Sequence, residues 1–231
     1  MRHRFAATAI AAALALTTSA VANADDRYFN EGKQFEVTVP TGWKQIAGDG
    51  GMIDLVLSSP RFEATMGLCV LISRDIADTR KDSQAKIDEE AGAAINDAFW
   101  REVMTDKNTT VTSVQSKSEM RGGRRVYFGT VGVTSLIDGK SVNLQIEMVL
   151  HVMPGKGMMG QCGVEVAQLD AEKIDIQTII NSYNSTGSGV VASADPHHNH
   201  GSAAKLSNTL TEALTAGAKD MIGRMAHPQK P

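Results

Sequence analysis

Three histidines lie within four residues near the C-terminal end of the chain, namely His197, His198 and His200. Neutral imidazole is a common ligand of Zn²⁺, Cu²⁺ and Ni²⁺, and histidines this close in sequence can converge on one ion. They follow Asp195-Pro196 in a tract that has no helical or strand periodicity and no cysteine. Two interpretations stay open: a transition-metal site, or a polar tract that binds divalent ions weakly because nothing orients its rings.

The chain contains two cysteines, Cys69 and Cys162, and each lies in an apolar run typical of a β-strand. An even number of cysteines in an oxidising compartment favours a disulfide. A bond closing a loop of this length, about 90 residues, would stabilise the fold by roughly 4–5 kcal/mol in the chain-entropy model. The alternative is two separate buried thiols, because free cysteine packs like a small hydrophobic residue.

His151 shares the polar side of one predicted strand with Gln145 and Glu147. Glu147 and His151 are four residues apart, which is about 13 Å along an extended strand, so their side chains cannot form a hydrogen bond directly. We therefore interpret His151 as an ordinary sheet histidine. The sequence contains no nucleophile elbow, zinc-protease, P-loop or dinucleotide motif, and it indicates no catalytic residues.

Residues 1–24 have the pattern of a cleavable secretory signal peptide. Basic side chains at positions 2–4 precede an uncharged run rich in alanine and leucine, and Ala22-Asn23-Ala24 provides a cleavage site before Asp25. The apolar run is shorter than the ~20 residues of a membrane-spanning helix. Cleavage removes two arginines and no acidic residue, so the formal net charge changes from −3 to −5. We expect a soluble, mildly acidic protein in the periplasm or outside the cell, and no nucleic-acid partner.

The first part of the mature chain predicts three strands and then one helix. Phe35–Val39 alternates apolar and polar residues, and the runs at 52–57 and 64–73 predict two further antiparallel strands. Apolar residues then recur at spacings of three and four from Ser83 to Met104, which predicts a single amphipathic helix capped by Asp82 or Ser83.

A four-strand meander and a closing helix follow. Asp138-Gly139 between two alternating runs is the strongest turn signal, because a type I′ turn needs positive φ at both central residues. A final helix is predicted from Ala171 to Tyr183. The four strands are predicted at about 110–119, 125–136, 141–152 and 158–166.

The composition changes after this helix. Residues 185–202 are dominated by serine, glycine, asparagine and histidine, which predicts a flexible linker. Residues 203–231 contain a narrow apolar stripe at helical spacing, and an isolated helix of this length is marginal in water. We expect it to dock on its own domain, on a second copy or on a partner protein. The residues expected to dock are Leu206, Leu210, Leu214, Met221 and Ile222.

One motif near the mature N-terminus is similar to that of a known protein family. Phe35-x-Val37-x-x-Pro40-x-Gly42-Trp43, together with the order of elements from about 28 to 183, resembles the PsbP/DcrB-like family. The resemblance implies an α+β fold, in which an antiparallel sheet is flanked by helices in an α/β/α sandwich. It also implies a non-catalytic accessory subunit or envelope protein, with no family-wide catalytic residues. Within the motif, Trp43 is expected to anchor the core.

These observations divide the chain into a signal peptide (1–24), an α+β domain (25–184), a linker (185–202) and a tethered C-terminal helix and tail (203–231). The leading hypothesis is an exported, non-enzymatic binding or accessory protein of the cell envelope, without a cofactor. Its expected partner is another envelope protein or a second copy, bound through the C-terminal helix. The alternative is a periplasmic protein that binds Zn, Cu or Ni through its histidine tract.

Overall fold

A computed structural model describes residues 25–47, 53–76 and 79–186, and near the C-terminus residues 211, 215, 218–219 and 221–225. The predicted signal peptide and most of the predicted linker lie outside these residues. Among the helices of the described residues, none is both long enough and apolar enough to cross a membrane.

The centre of the fold is a seven-stranded antiparallel sheet in the order β3-β4-β5-β9-β8-β7-β6. The predicted meander forms one half of it, and β5 pairs with β9 to join the two halves. Asp138 and Gly139 both have positive φ (49° and 76°), as the type I′ interpretation requires. The strands are β3 (Lys44–Ala47), β4 (Leu55–Ser58), β5 (Leu68–Asp75), β6 (Thr109–Arg121), β7 (Arg124–Ile137), β8 (Lys140–Met153) and β9 (Lys156–Glu165).

A smaller three-stranded sheet lies beside it, in the order β1-β2-β10. Its central strand is the predicted alternating run, and the turn that follows is closed by a bond from the Trp43 N–H to the Pro40 carbonyl, 3.1 Å. The strands are β1 (Asp26–Asn30), β2 (Phe35–Val39) and β10 (Asn184–Ser185).

The prediction of one helix from Ser83 to Met104 is wrong, because two helices occupy this range: α2 (Gln84–Ala94) and α3 (Asp97–Met104). Ile95 between them is extended, with φ −89° and ψ 93°. Asn96 then begins a new helix, since its side-chain oxygen accepts hydrogen bonds from the first-turn backbone N–H groups of α3. The apolar periodicity continued through this break and concealed it.

Two other boundaries differ from the prediction. The expected strand at 64–73 begins only at Leu68, because a short helix, α1 (Phe62–Thr65), and a left-handed Met66 (φ 57°) precede it. The closing helix, α4 (Leu169–Ser182), begins before the predicted Ala171; it buries Ile176, Ile179 and Ile180, whereas Ile174 is 78% exposed.

Both faces of the large sheet are covered, which produces an α+β fold with an α/β/α arrangement. Helices α2 and α3 pack on β6, β7 and β8 on one face. Helix α4 packs on β8 and β9 on the other face, where it also meets β2 of the small sheet. The core therefore has two apolar clusters, one on each side of the sheet.

The described residues near the C-terminus are helical, and the apolar ones among them pack in the first of these clusters. We call residues 211, 215, 218–219 and 221–225 the C-terminal segment. Ala218, Met221 and Met225 are buried in it, at spacings of three and four residues. A Cβ built on Gly163 of β9 would overlap the Met225 methyl group and lie 3.5 Å from that of Met221. The missing side chain at Gly163 therefore provides the space in which these methionines pack.

Candidate functional site

A cleft of about 930 Å³ opens beside the outermost strand, β6. We call it the β6 cleft. Phe128 and Thr130 of β7 and Glu147 of β8 line its floor. The remaining lining residues are 96–98 at the start of α3, 114–117 of β6, and 177, 180 and 181 of α4.

The cleft passes along the edge of the sheet. Successive side chains of a strand point to opposite faces, and the register shows this alternation here. Val114 lies opposite Val131, which is buried under α3, whereas Gln115 lies opposite Thr130 on the α4 side. All four residues from 114 to 117 nevertheless line the same opening. An opening that touches both faces of one strand must run along the outer edge of that strand.

Two helices form the walls of the cleft, one on each face of the sheet. On one side, the Ser116 hydroxyl donates to the Asp97 carboxylate at 2.5 Å, which joins β6 to the first turn of α3. On the other side, the Arg121 guanidinium donates to the backbone and side-chain oxygens of Asn181, both at 3.1 Å, which joins β6 to the end of α4. These bonds fix both helix ends relative to the strand.

The carboxylate on the floor of the cleft, that of Glu147, already accepts hydrogen bonds within the protein. Glu147 accepts one hydrogen bond from the Thr130 hydroxyl at 2.8 Å and another from the Gln145 side-chain amide at 2.7 Å. Each of its oxygens therefore has a partner on a neighbouring position of the sheet. This arrangement holds the polar side chains of the floor in place.

Phe128 gives the cleft an apolar patch with positive charge above it. The Lys117 ammonium lies 5.0 Å and the Arg121 guanidinium 4.7 Å from its ring centroid. Cations at such distances are attracted to the face of an aromatic ring. Phe128, Lys117 and Arg121 were not predicted as site residues, because no local pattern in the sequence shows that they meet.

The predicted disulfide between Cys69 and Cys162 is present. The two cysteines are directly opposite each other in the register of β5 and β9, and both are fully buried on the α4 side of the sheet. The bond therefore joins the two halves of the large sheet at their central pair of strands.

His151 is buried on the same face, with 2% exposure, and is stacked edge-on against Tyr183 at 6.2 Å. Among the described residues, neither ring nitrogen has a hydrogen-bond partner. Burial lowers the pKa of His151 to about 4; Arg124 and, more weakly, Arg121 act in the same direction, while the nearby backbone of Tyr183 opposes them. The ring is therefore neutral at ordinary pH and is a core residue.

Glu172 of α4 is another buried ionisable group, with no exposed surface. It accepts hydrogen bonds from the Ser59 hydroxyl at 2.6 Å, the Thr65 hydroxyl at 2.8 Å and the Arg61 guanidinium at 3.1 Å. One turn later, Asp175 accepts from the Trp43 indole at 3.0 Å. These bonds attach α4 to the loops around α1 and β3, so this cluster has a structural role, and Trp43 anchors the core as the motif predicts.

The other predicted site residues fall into two groups. The histidine tract (His197, His198 and His200) and the docking residues Leu206, Leu210 and Leu214 lie outside the described residues. Met221 is buried and Ile222 is partly buried, and both pack on the protein's own core. In the part of the chain that the structure describes, no group of three metal-ligating side chains is present.

No family model matches the sequence, and no curated protein matches it. Among solved structures, cyanobacterial PsbP (CyanoP) from Synechocystis sp. PCC 6803 is 14% identical, with a TM-score of 0.46; the match covers 72% of this chain and 95% of that one. LpqN of Mycobacterium tuberculosis, described as involved in cell envelope biogenesis, is 12% identical, with a TM-score of 0.42 and coverage of 72% and 88%. The Ran-binding protein Mog1p of Saccharomyces cerevisiae is 11% identical, with a TM-score of 0.40 and coverage of 73% and 98%.

The likeness is one of fold. The α+β fold that the sequence predicted, with helices on both faces of an antiparallel sheet, is present, and the solved structures that this chain matches include PsbP. At these identities and TM-scores, the likeness says nothing about the activity, ligand or partner of this chain.

Proposed function

We propose that this protein is an exported, non-enzymatic accessory protein of the cell envelope, and that it binds another protein through the β6 cleft. The observation that carries the proposal is the course of the cleft along the outer edge of β6 between two fixed helix ends. Such an opening presents strand backbone and side chains of both faces to one bound molecule.

The character of the lining supports binding of a protein. Most of its polar side chains are neutral amides and hydroxyls, which can donate and accept hydrogen bonds in the way that polypeptide requires. Phe128 and Ile180 add an apolar patch.

The state of the two carboxylates supports a binding role over proton transfer. Asp97 accepts from Ser116, and Glu147 accepts from Thr130 and Gln145. A general base must be able to reach a proton of the substrate. Both carboxylates of the cleft instead hold neighbouring side chains of the sheet and of α3.

The disulfide supports the proposed location. Disulfides persist in secreted and periplasmic proteins and are rare in the reducing cytosol. The bond between Cys69 and Cys162 is buried between two central strands, where it belongs to the folded core. A core built around a disulfide suits folding outside the cytoplasm.

Photo-cross-linking in cells that express the protein from its own gene tests the proposal. A photoreactive residue at Gln115, which is exposed in the cleft, is compared with one at Ile174, which is exposed on the outer side of α4. We expect Gln115 to yield a discrete adduct with one envelope protein and Ile174 to yield none. Adducts of equal yield and identity at both positions, or no adduct at Gln115, would contradict the proposed function.

A further inference from the structure

We propose that the partner contributes an extended segment, which pairs with the outer edge of β6 and adds an eighth strand to the large sheet. This inference rests on the proposed function and specifies how the β6 cleft binds its partner. Addition of a strand to an exposed sheet edge is a recurring mode of peptide recognition.

The outer edge of β6 supplies the backbone groups for this pairing. β6 is terminal in the sheet order and pairs with β7 alone among the described strands. Alternate residues of an edge strand point their N–H and C=O groups outward, where they can pair with another chain. Residues 115–120 are all exposed. The available stretch, 113–121, is about 30 Å long at ~3.3 Å per residue.

A β-bulge defines where this stretch begins. The register between β6 and β7 shifts between Val111 and Ser113. Gly132 of β7 makes room for it, because a Cβ there would lie 2.5 Å from the Ser113 hydroxyl and 2.9 Å from that of Thr112. A bulge interrupts the ladder and increases the local twist. An added strand would therefore pair with the regular part of β6 from Ser113 onward.

The two walls favour a single strand over a second copy of this protein. The edge of β6 lies between the start of α3 on one face and the end of α4 on the other. A lone extended segment can enter between these walls in the plane of the sheet. The β6 edge of a second copy would bring its own α3 and α4, and these would meet the walls before the two edges could pair.

The charges of the cleft select the segment's side chains. Because strand side chains alternate, every second residue of the segment would face the α4 side, near Phe128, Lys117 and Arg121. Arg121 already forms an ion pair with Glu119 and donates to Asn181. An acidic residue at one such position would therefore pair with the Lys117 ammonium, and an aliphatic one would pack on the Phe128 ring and on Ile180. The intervening residues would face Ser116 and the Asp97 carboxylate, which favours small polar or basic side chains.

The probe for this inference is a displayed library of random 12-residue peptides, selected on the purified full chain. Each selected peptide is then synthesised with N-methyl groups at one position at a time, since an N-methyl group removes a single backbone donor. We expect N-methylation at alternate positions to weaken binding at least tenfold and at intervening positions to change it little. Hydrogen exchange should show new protection of alternate amides between 113 and 121.

Charge reversal supplies the matched side-chain control. Lys117→Glu in the cleft should weaken the binding of acidic selected peptides severalfold, whereas Lys173→Glu on the exposed side of α4 should leave it unchanged.

Equal tolerance of N-methylation at every position, or protection away from β6, would overturn the inference. A concentration-dependent dimer with protected β6 amides would assign the edge to a second copy and overturn it too. If Gln115 captures a protein in cells while no extended peptide binds the edge, the proposed function stands and this mode of binding fails.

Discussion

His151 shows how one buried ring can make the stability of the whole fold depend on pH. Its side chain is 2% exposed, and Arg124, which acts on its pKa more strongly than Arg121, is itself so buried that its own pKa is lowered. A proton on His151 would add a third positive charge in a place from which water is largely excluded. The folded protein therefore favours the neutral ring.

We expect the free energy of unfolding to decrease as the pH falls from 6.5 to 4. The pKa of His151 is lowered to about 4 in the folded state from 6.5 in the unfolded chain, so the unfolded chain binds the proton more tightly. The stabilisation is complete above about pH 7 and is lost by about pH 4, a change of about 3 kcal/mol for this group. Urea unfolding at several pH values measures it.

His151→Phe is the informative variant for this prediction, because the new ring can still pack against Tyr183 but cannot titrate. It should remove most of the pH dependence that the wild type shows in this window. The triple variant His197→Ala, His198→Ala and His200→Ala should retain it. An identical pH slope in wild type and His151→Phe would refute the assignment to His151.

The histidine tract carries a separate prediction at the residue scale. If His197, His198 and His200 form a transition-metal site, calorimetric titration with Zn²⁺, Cu²⁺ or Ni²⁺ should give a Kd below about 10 μM. The triple alanine variant should lose this binding, and His151→Phe should keep it. Weaker binding, or binding unchanged in the triple variant, would mean that the tract is an ordinary polar segment.

At the scale of elements, the C-terminal segment completes a layer that α2 and α3 leave unfinished. These helices cover the β6-β7-β8 half of one face. On the same face, the other half carries Val56, Leu68 and Val70, which share a buried cluster with Ala218, Met221 and Met225. Burial of apolar side chains stabilises folded proteins, so the segment and this half of the sheet stabilise each other.

Gly163→Val should displace the C-terminal segment, because its side chain would occupy the space of the Met225 and Met221 methyl groups. Overpacking of this kind costs roughly 1–3 kcal/mol. Trypsin should then cleave at Lys219 and Arg224 faster than in the wild type, while the far-UV circular dichroism of the sheet is retained.

Gly223→Ala is the matched control within the segment. A Cβ at Gly223 meets nothing within 4 Å, and alanine favours the helix by up to ~1 kcal/mol over glycine. Cleavage should therefore be unchanged or slower in this variant. Equal cleavage rates in Gly163→Val and the wild type would show that Gly163 is not where the segment is held.

At the scale of the whole molecule, the disulfide links strands that are far apart in sequence and adjacent in the sheet. Cys69 and Cys162 are 93 residues apart, and all of α2, α3, β6, β7 and β8 lies between them. Because β5 and β9 are already paired in the folded state, the bond acts mainly by restricting the unfolded chain.

Replacement of both cysteines by alanine should lower the free energy of unfolding by about 4–5 kcal/mol in the chain-entropy model for a loop of this length. Guanidinium unfolding with and without reductant measures the effect. The wild type should become less stable in reductant, and the double variant should not respond to it. A loss below about 1 kcal/mol would show that the unfolded chain is already compact between these positions.

The sequence determined the features that depend on residues close together along the chain. The period of two in β8 and the Asp138-Gly139 turn predicted the meander, since strand alternation and positive φ are local properties. The two cysteines in apolar runs correctly indicated the disulfide. Local periodicity failed where a single residue decided the outcome, as at Asn96, whose capping side chain divides the predicted helix in two.

Only the tertiary structure decided which residues of distant elements lie next to each other. The β6 cleft combines Asp97, Ser116, Glu147 and Asn181, which come together because the strand order places β6 at the edge and α4 across the opposite face. The position at which the C-terminal segment packs likewise depends on Gly163. The absence of a side chain there has this effect only because Met221 and Met225 fill the space. Such contacts between distant residues follow from how the sheets and helices pack on one another. Packing of this kind produces no periodic pattern in the sequence from which it could be predicted.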